Sequence, residues 1–181
     1  DFPFLTLVGV LDADNALYSP DYRAPEKLFS QLMQVSGRAG RAKIKGEVLI
    51  QTAFPNNPVF EGIKKHNYEI FAKILLQERE QIGLPPFSFT AILRVESKQL
   101  NYSERFVKDA AKYAESLTNK VIVYDPVRPS IERLKGYERF QLLIQTNVRK
   151  DLQKLLKQWV VYLRQYPLAN RVKWSLDVDP I

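Results

Sequence analysis

At residues 83–86 the chain reads Gly-Leu-Pro-Pro, and neither a helix nor an interior strand can run through it. Each proline lacks an N–H and restricts the residue before it, while the glycine favours a helix exit. Charge changes at the same place. Residues 1–86 carry ten basic and ten acidic side chains, whereas 87–181 carry seventeen and ten, so the second part holds the whole formal excess of +7. We place the domain junction here and expect three segments: 1–55, a helical linker over 56–86, and a basic domain over 87–181. A basic domain is a footprint for a polyanion, nucleic acid first among them, although many basic surfaces serve only solubility.

The basic part has a clear order. From Phe87 to Glu96, apolar residues alternate at Phe87, Phe89, Ala91, Leu93 and Val95, the period of a strand with one buried face. A helix is predicted from about Tyr102 to Leu117, with Phe106, Ala110, Tyr113 and Leu117 on its apolar face. "VIVYDPV" and "SIERLK" are extended, and Gly136-Tyr137 turns the chain into "ERFQLLIQT", a hairpin in which Phe140, Leu142 and Ile144 alternate. The run "VRKDLQKLLKQWVVYLRQY" places Leu152, Leu155, Leu156, Trp159, Val160 and Leu163 on one helical face, and "RVKWSLDVD" alternates as a last strand. The order β-α-β-β-α-β is the split βαβ, or ferredoxin-like, arrangement.

The first part reads as α/β. "FLTLVGVL" is almost continuously apolar from Phe4 to Leu11, which suits a strand covered on both faces. Asp12 and Asp14 follow at its carboxyl end, where open α/β sheets place ligands and where loop aspartates also cap turns. Pro25 suits the first turn of a helix running to about Arg41, with Leu28, Leu32, Val35 and Ala39 on one stripe. "GEVLIQT", Gly46 to Thr52, closes a strand-helix-strand unit, and two helical patterns follow, Val59 to His66 and Tyr68 to Ile82. In the second, Phe71, Ile74, Leu75 and Ile82 share a face while "QEREQ" is turned to solvent.

The stretch that points to chemistry is "QVSGRAGR", Gln34 to Arg41. If the helix continues, Gln34, Arg38 and Arg41 fall at i, i+4 and i+7 and aim an amide and two guanidinium groups one way, about 120° from the apolar stripe. Gly37 and Gly40 flank that stripe, each costing about 1 kcal/mol against alanine in a helix, so something must approach closely there. Phosphoryl transfer spreads charge over the γ-phosphate oxygens, and an arginine from a neighbouring lobe is worth roughly 4–7 kcal/mol of barrier. Cations that offset a helix dipole fit the same residues.

Several classes are excluded. With no cysteine and one histidine, His66, the chain can form neither a disulfide nor a thiolate metal site, and no metal ligand set is expected. It has no run of about 18 apolar residues and no secretory pattern at its start, so we expect no membrane partner and a cytoplasmic setting. Because Asp1 leads directly into a strand-like run, we expect a piece of something longer.

"QVSGRAGR" is similar to motif VI of superfamily 2 helicases, the QxxGRxGR helix of the second RecA-like lobe. Together with "DFPFLTLVGVLDAD", "SPDYRAPEKLFSQLM" before it and the terminal "KWSLDVDP", it gives the chain a close, end-to-end resemblance to the C-terminal part of the primosomal protein N′ family, bacterial replication restart helicases that unwind DNA 3′ to 5′. The resemblance implies that Arg41 is an arginine finger on the γ-phosphate, that Arg38 assists and that Gln34 couples two lobes. It further implies that Gly37, Asp12 and Asp14 lie near the nucleotide. The parent would use ATP and magnesium and hold zinc outside this stretch. The Walker A lysine, the Walker B box and the zinc cysteines of the family are missing here, so the fragment alone is expected to bind no cofactor and hydrolyse nothing. The basic part corresponds to the family's ferredoxin-like domain, similar to ribosomal protein S10. Implied partners are forked and single-stranded DNA, the single-stranded DNA-binding protein, and primosome and helicase-loading proteins, in a bacterial cytoplasm and nucleoid-associated.

Two surfaces of the basic part are candidates. The hairpin carries Arg128, Arg133, Lys135 and Arg139 with Tyr137 at its tip, a set suited to phosphates and a stacked base, or simply to solvated charge. At the start of the last helix, Arg149 and Gln153 are i, i+4 neighbours with Lys150 and Lys154 alongside; they suit the acidic tail of a partner, by which the family is recruited, or ordinary surface basicity. A stand-alone nucleic-acid-binding module without ATPase activity is the alternative to the helicase reading. A small metabolic enzyme is disfavoured because no acid, base and nucleophile gather in 87–181.

Overall fold

The computed structural model describes residues 6–19, 21–39 and 46–180. The chain forms two compact units, Asp1–Ile82 and Gly83–Ile181, each with its own apolar cluster. Together they make an α+β fold with one parallel and one antiparallel sheet.

In the first unit, β1 (Leu7–Val10) pairs in parallel with β2 (Glu47–Ile50), Leu7 opposite Glu47 and Val10 opposite Ile50. A parallel pair needs a long crossover, and the connection carries α1 (Ala13–Leu17) and α2 (Ala24–Ser36). Helices α3 (Pro58–Lys64) and α4 (Tyr68–Ile82) follow. The first strand is not covered on both faces as its composition suggests. Val8, Val10, Val48 and Ile50 are half-buried, while Leu7 and Leu49 on the opposite face are 53% and 61% exposed. The segment expected as a linker also builds core. Val59, Phe60 and Ile63 of α3 and Phe71 and Leu75 of α4 cluster with Leu28, Phe29 and Leu32 of α2, because their 3–4 spacing gives each helix one apolar stripe that only the others can cover. Gly62 permits the crossing: a Cβ there would lie 3.0 Å from Phe71 Cβ and 3.1 Å from Phe29 Cε2.

Within "QEREQ", Arg79 turns inward rather than to solvent, its side chain only 11% exposed. It pairs with Glu26 on α2 at 2.8 Å, donates to the Tyr22 carbonyl at 3.2 Å and lies 4.9 Å above the Tyr22 ring. Ile82, placed by periodicity on the apolar face, is instead 69% exposed at the end of α4.

The second unit contains β3 (Phe89–Ser97), α5 (Leu100–Leu117), β4 (Ile122–Val123), β5 (Arg133–Leu134), β6 (Tyr137–Thr146), α6 (Arg149–Gln165) and β7 (Lys173–Val178). The main strands lie in the order β4-β6-β3-β7, all antiparallel, and β5 extends the β6 edge. Ala91, Leu93 and Val95 of β3 and Phe140, Leu142 and Ile144 of β6 join Phe106, Val107, Ala110 and Ala114 of α5 and Leu152, Leu155, Trp159 and Leu163 of α6 in one cluster. Alanines on α5 let α6 come close: the fully buried Trp159 donates its indole N–H to the Ala110 carbonyl at 2.9 Å. Trp174 on β7 packs half-buried against the same cluster.

Candidate functional site

Helix α2 does not continue to Arg41. It ends at Ser36, with the Gly37 N–H donating to the Met33 carbonyl at 3.0 Å and the Arg38 N–H to the Val35 carbonyl at 3.0 Å. Two glycines three residues apart withdraw the helix propensity that a further turn needs, and Ser36 adds a hydroxyl bond back to the Leu32 carbonyl at 2.8 Å. Gln34 thus sits exposed on the last helical turn and Arg38 exposed in the turn beyond it, with no carboxylate partner among the described residues. Arg41 and Gly40 lie outside the described residues. A Cβ on Gly37 would meet only the Met33 and Gln34 carbonyl oxygens, at 3.5 and 3.7 Å. That is ordinary contact, so nothing packed on it here accounts for the glycine.

Asp12 and Asp14 sit where β1 ends, each fixed by local bonds. Asp12, the left-handed residue before α1 (φ 55), accepts from the Asn15 amide. Asp14 reaches across to the end of β2, accepting from the Thr52 hydroxyl and from the Ala53 N–H at 2.8 Å. Both line an open depression with Gln51, Thr52 and Ala53 at the carboxyl edge of the two strands. In the same unit Tyr18 and Phe54, which carry no motif, meet edge to face with ring centres 5.5 Å apart, both exposed. The signal for them is an aromatic just after α1 and another in the loop that follows β2.

The hairpin is less free than its basic composition suggests. Its turn is Lys135-Gly136, both with positive φ, 50° and 79°, the type I′ geometry that suits a two-residue connection; Leu134 therefore faces Tyr137. Arg128 is held at 2.5 Å by Glu132 and 3.8 Å by Glu138, and the Glu132 hydrogen bond raises its already high pKa. Arg139 pairs with Glu96 at 3.0 Å, and Arg133 lies 3.5 Å from Glu138 with its side chain 68% exposed. Tyr137 lies under the Lys173 ammonium, 4.6 Å from the ring centre. Lys135 at the tip is exposed and unpaired among the described residues. The structure brings the five residues into one neighbourhood but commits Arg128 and Arg139 to carboxylates.

The family model of the primosomal protein N C-terminal domain matches residues 80–181, which takes in the whole second unit and the end of α4. The chain belongs to this family. Similarity to relatives extends further, through α2 and its glycines. The replication restart protein PriA of Haemophilus influenzae is 36% identical over 180 residues, covering 99% of this chain and 24% of that protein. The proteins of the same name from Rickettsia prowazekii and Bacillus subtilis are 37% and 33% identical, again over 99% of this chain and over 27% and 22% of theirs. The chain spans about a quarter of the length of these relatives.

As a primosomal protein N C-terminal domain, the second unit presents a further candidate surface at the start of α6. Arg149, Lys150 and Gln153 are all exposed there, and the Arg149 guanidinium lies 5.9 Å from the Phe89 ring centre. Among the described residues of this family member no three His, Cys, Asp or Glu side chains gather as a metal site, and no helix is long and apolar enough to cross a membrane.

Proposed function

We propose that the chain is the C-terminal part of an ATP-dependent 3′ to 5′ DNA helicase that restarts replication at stalled forks. What carries this reading is the similarity over 99% of the chain, "QVSGRAGR" included, to proteins named for replication restart. The first unit is then part of a RecA-like second lobe. Its parallel strand pair, joined through α2 and bare on one face, supports that assignment. The second unit is a ferredoxin-like, S10-like accessory domain, supported by the antiparallel order β4-β6-β3-β7 with both helices in one apolar cluster with the sheet.

In this reading ATP and magnesium sit on the other lobe and zinc elsewhere in the parent. Arg41 closes on the γ-phosphate, Arg38 assists, Gln34 couples the lobes, and Gly37 leaves room for the approach. Asp14, clamped to Thr52 and Ala53, holds the loop at the cleft, and Asp12 shapes its turn. In the second unit Arg133, Lys135 and Tyr137 contact forked or single-stranded DNA while Arg128 and Arg139 hold the hairpin's shape. Arg149, Lys150 and Gln153 take the acidic tail of the single-stranded DNA-binding protein. Primosome and helicase-loading proteins are the further partners, in a cytoplasmic, nucleoid-associated setting.

The test is Arg41→Ala in the full-length protein. Loss of ATPase by about 10³-fold or more with DNA affinity retained supports the motor. A full-length protein without ATPase, whose DNA affinity drops on the same substitution, makes the chain a nucleic-acid-binding module instead.

A further inference from the structure

The two helices of the second unit share one fold environment but carry opposite charge designs. Helix α5 holds three acidic and three basic side chains, and four of them stand as i, i+4 pairs: Glu104 with Lys108 at 2.7 Å and Arg105 with Asp109 at 3.8 Å. Helix α6 holds five basic side chains against the single Asp151. At 3.6 residues per turn, Lys150, Lys154, Lys157 and Arg164 fall within a band about 80° wide. The band lies opposite Leu152, Leu155, Trp159 and Leu163, which are buried. All four cations are exposed, and none has a carboxylate partner among the described residues. Like charges three and four apart oppose the helix that carries them, by a few tenths of a kcal/mol per pair, a cost that an anion seated on the ridge would remove.

We propose that the outer ridge of α6, rather than the hairpin, is the main phosphate-contacting surface of this unit, tracking a nucleic-acid backbone. This rests on the DNA-binding reading above and locates it. The ridge runs about 21 Å from Lys150 to Arg164 at 1.5 Å per residue, and its first two steps are about 6 and 4.5 Å. A repeating polyanion can meet such a ladder along its length, whereas a short acidic peptide would engage one end. The hairpin, in contrast, has already spent Arg128 and Arg139 on Glu132 and Glu96. Phosphate contacts without base-edge partners position the strand and read no sequence.

The test neutralises Lys154, Lys157 and Arg164 to glutamine in the intact chain and leaves Lys150 for the proposed tail site. Affinity for labelled single-stranded and duplex oligonucleotides is measured between about 50 and 200 mM salt. The triple variant should bind more weakly to every sequence, and the slope of log K against log salt should fall in magnitude by about 2 to 3. A control triple on α5, Arg105, Lys108 and Lys112 to glutamine, removes the same charge and should leave most of the slope. An unchanged slope in the α6 variant, or an equal loss in both triples, overturns the ridge. If the unsubstituted chain binds no DNA at all, the DNA reading itself fails, and the ridge with it.

Discussion

Gly62 has no side chain because Phe29 and Phe71 stack 4.6 Å apart, nearly parallel, immediately against its Cα. Alanine would gain about 1 kcal/mol of helix propensity but overpack a pair that is 4% and 0% exposed and cannot retreat, at about 1–3 kcal/mol. Gly62→Ala should therefore lower stability by about 1 kcal/mol, read as a lower denaturant midpoint at constant m-value. Tyr166 behaves differently. Burial, then its hydrogen bond to Asp109, pushes its pKa up to about 12 from 10.0. A raised value favours the neutral phenol in the folded state, so its contribution is complete below pH 10 and is lost as pH rises from about 10 to about 12. In an alkaline absorbance titration the latest tyrosinate step should vanish in Tyr166→Phe. Residue roles of this kind were faint in the sequence. Arg79 stands in a charged run, and its inward turn depends on Tyr22 and Glu26, 57 and 53 positions away. A lone glycine in a helical pattern announces a close approach without saying to what.

Element boundaries depend on less than element existence does. Apolar periodicity located β3, α5, β6, α6 and β7 because each repeats an apolar face against the core, buried in the first four and half-buried at Trp174 and Leu176 in β7. The end of α2 was not legible in the same way, since Ala39 continues the apolar stripe of Leu28, Leu32 and Val35 past Ser36 while the glycines do not continue the helix. The hairpin turn falls one residue earlier than the Gly136-Tyr137 pair suggests, because the pair with positive φ is Lys135-Gly136 and Tyr137 is already in the ladder. Gly37 has φ −70, and a Cβ there would make only ordinary contacts, so Gly37→Ala should stabilise the isolated chain by about 0.5–1 kcal/mol in thermal unfolding. In the full-length protein the same methyl group should reduce ATPase activity if a second lobe closes on this turn. Equal ATPase in both would mean that nothing approaches Gly37.

At the scale of the molecule, each unit closes a separate apolar cluster, and the Gly-Leu-Pro-Pro break lies beside the division between them. Residues 83–181 expressed alone should fold cooperatively, with the far-ultraviolet helix and sheet signal of the second unit; a non-cooperative melt would show that its core needs the first unit. The break and the charge step were visible in the sequence because proline, glycine and net charge act locally. The packing of 58–82 into the first core was not, because its partners lie on α2 and only the folded chain brings them together.

Both indoles of the chain, Trp159 and Trp174, belong to the C-terminal unit, one sealed and one half-covered. Intrinsic emission excited at the red edge is therefore a one-sided reporter. It will register every loosening around α6 and β7 and stay silent while the N-terminal unit melts, so a fluorescence trace and amide exchange that disagree would be describing different halves of one polypeptide.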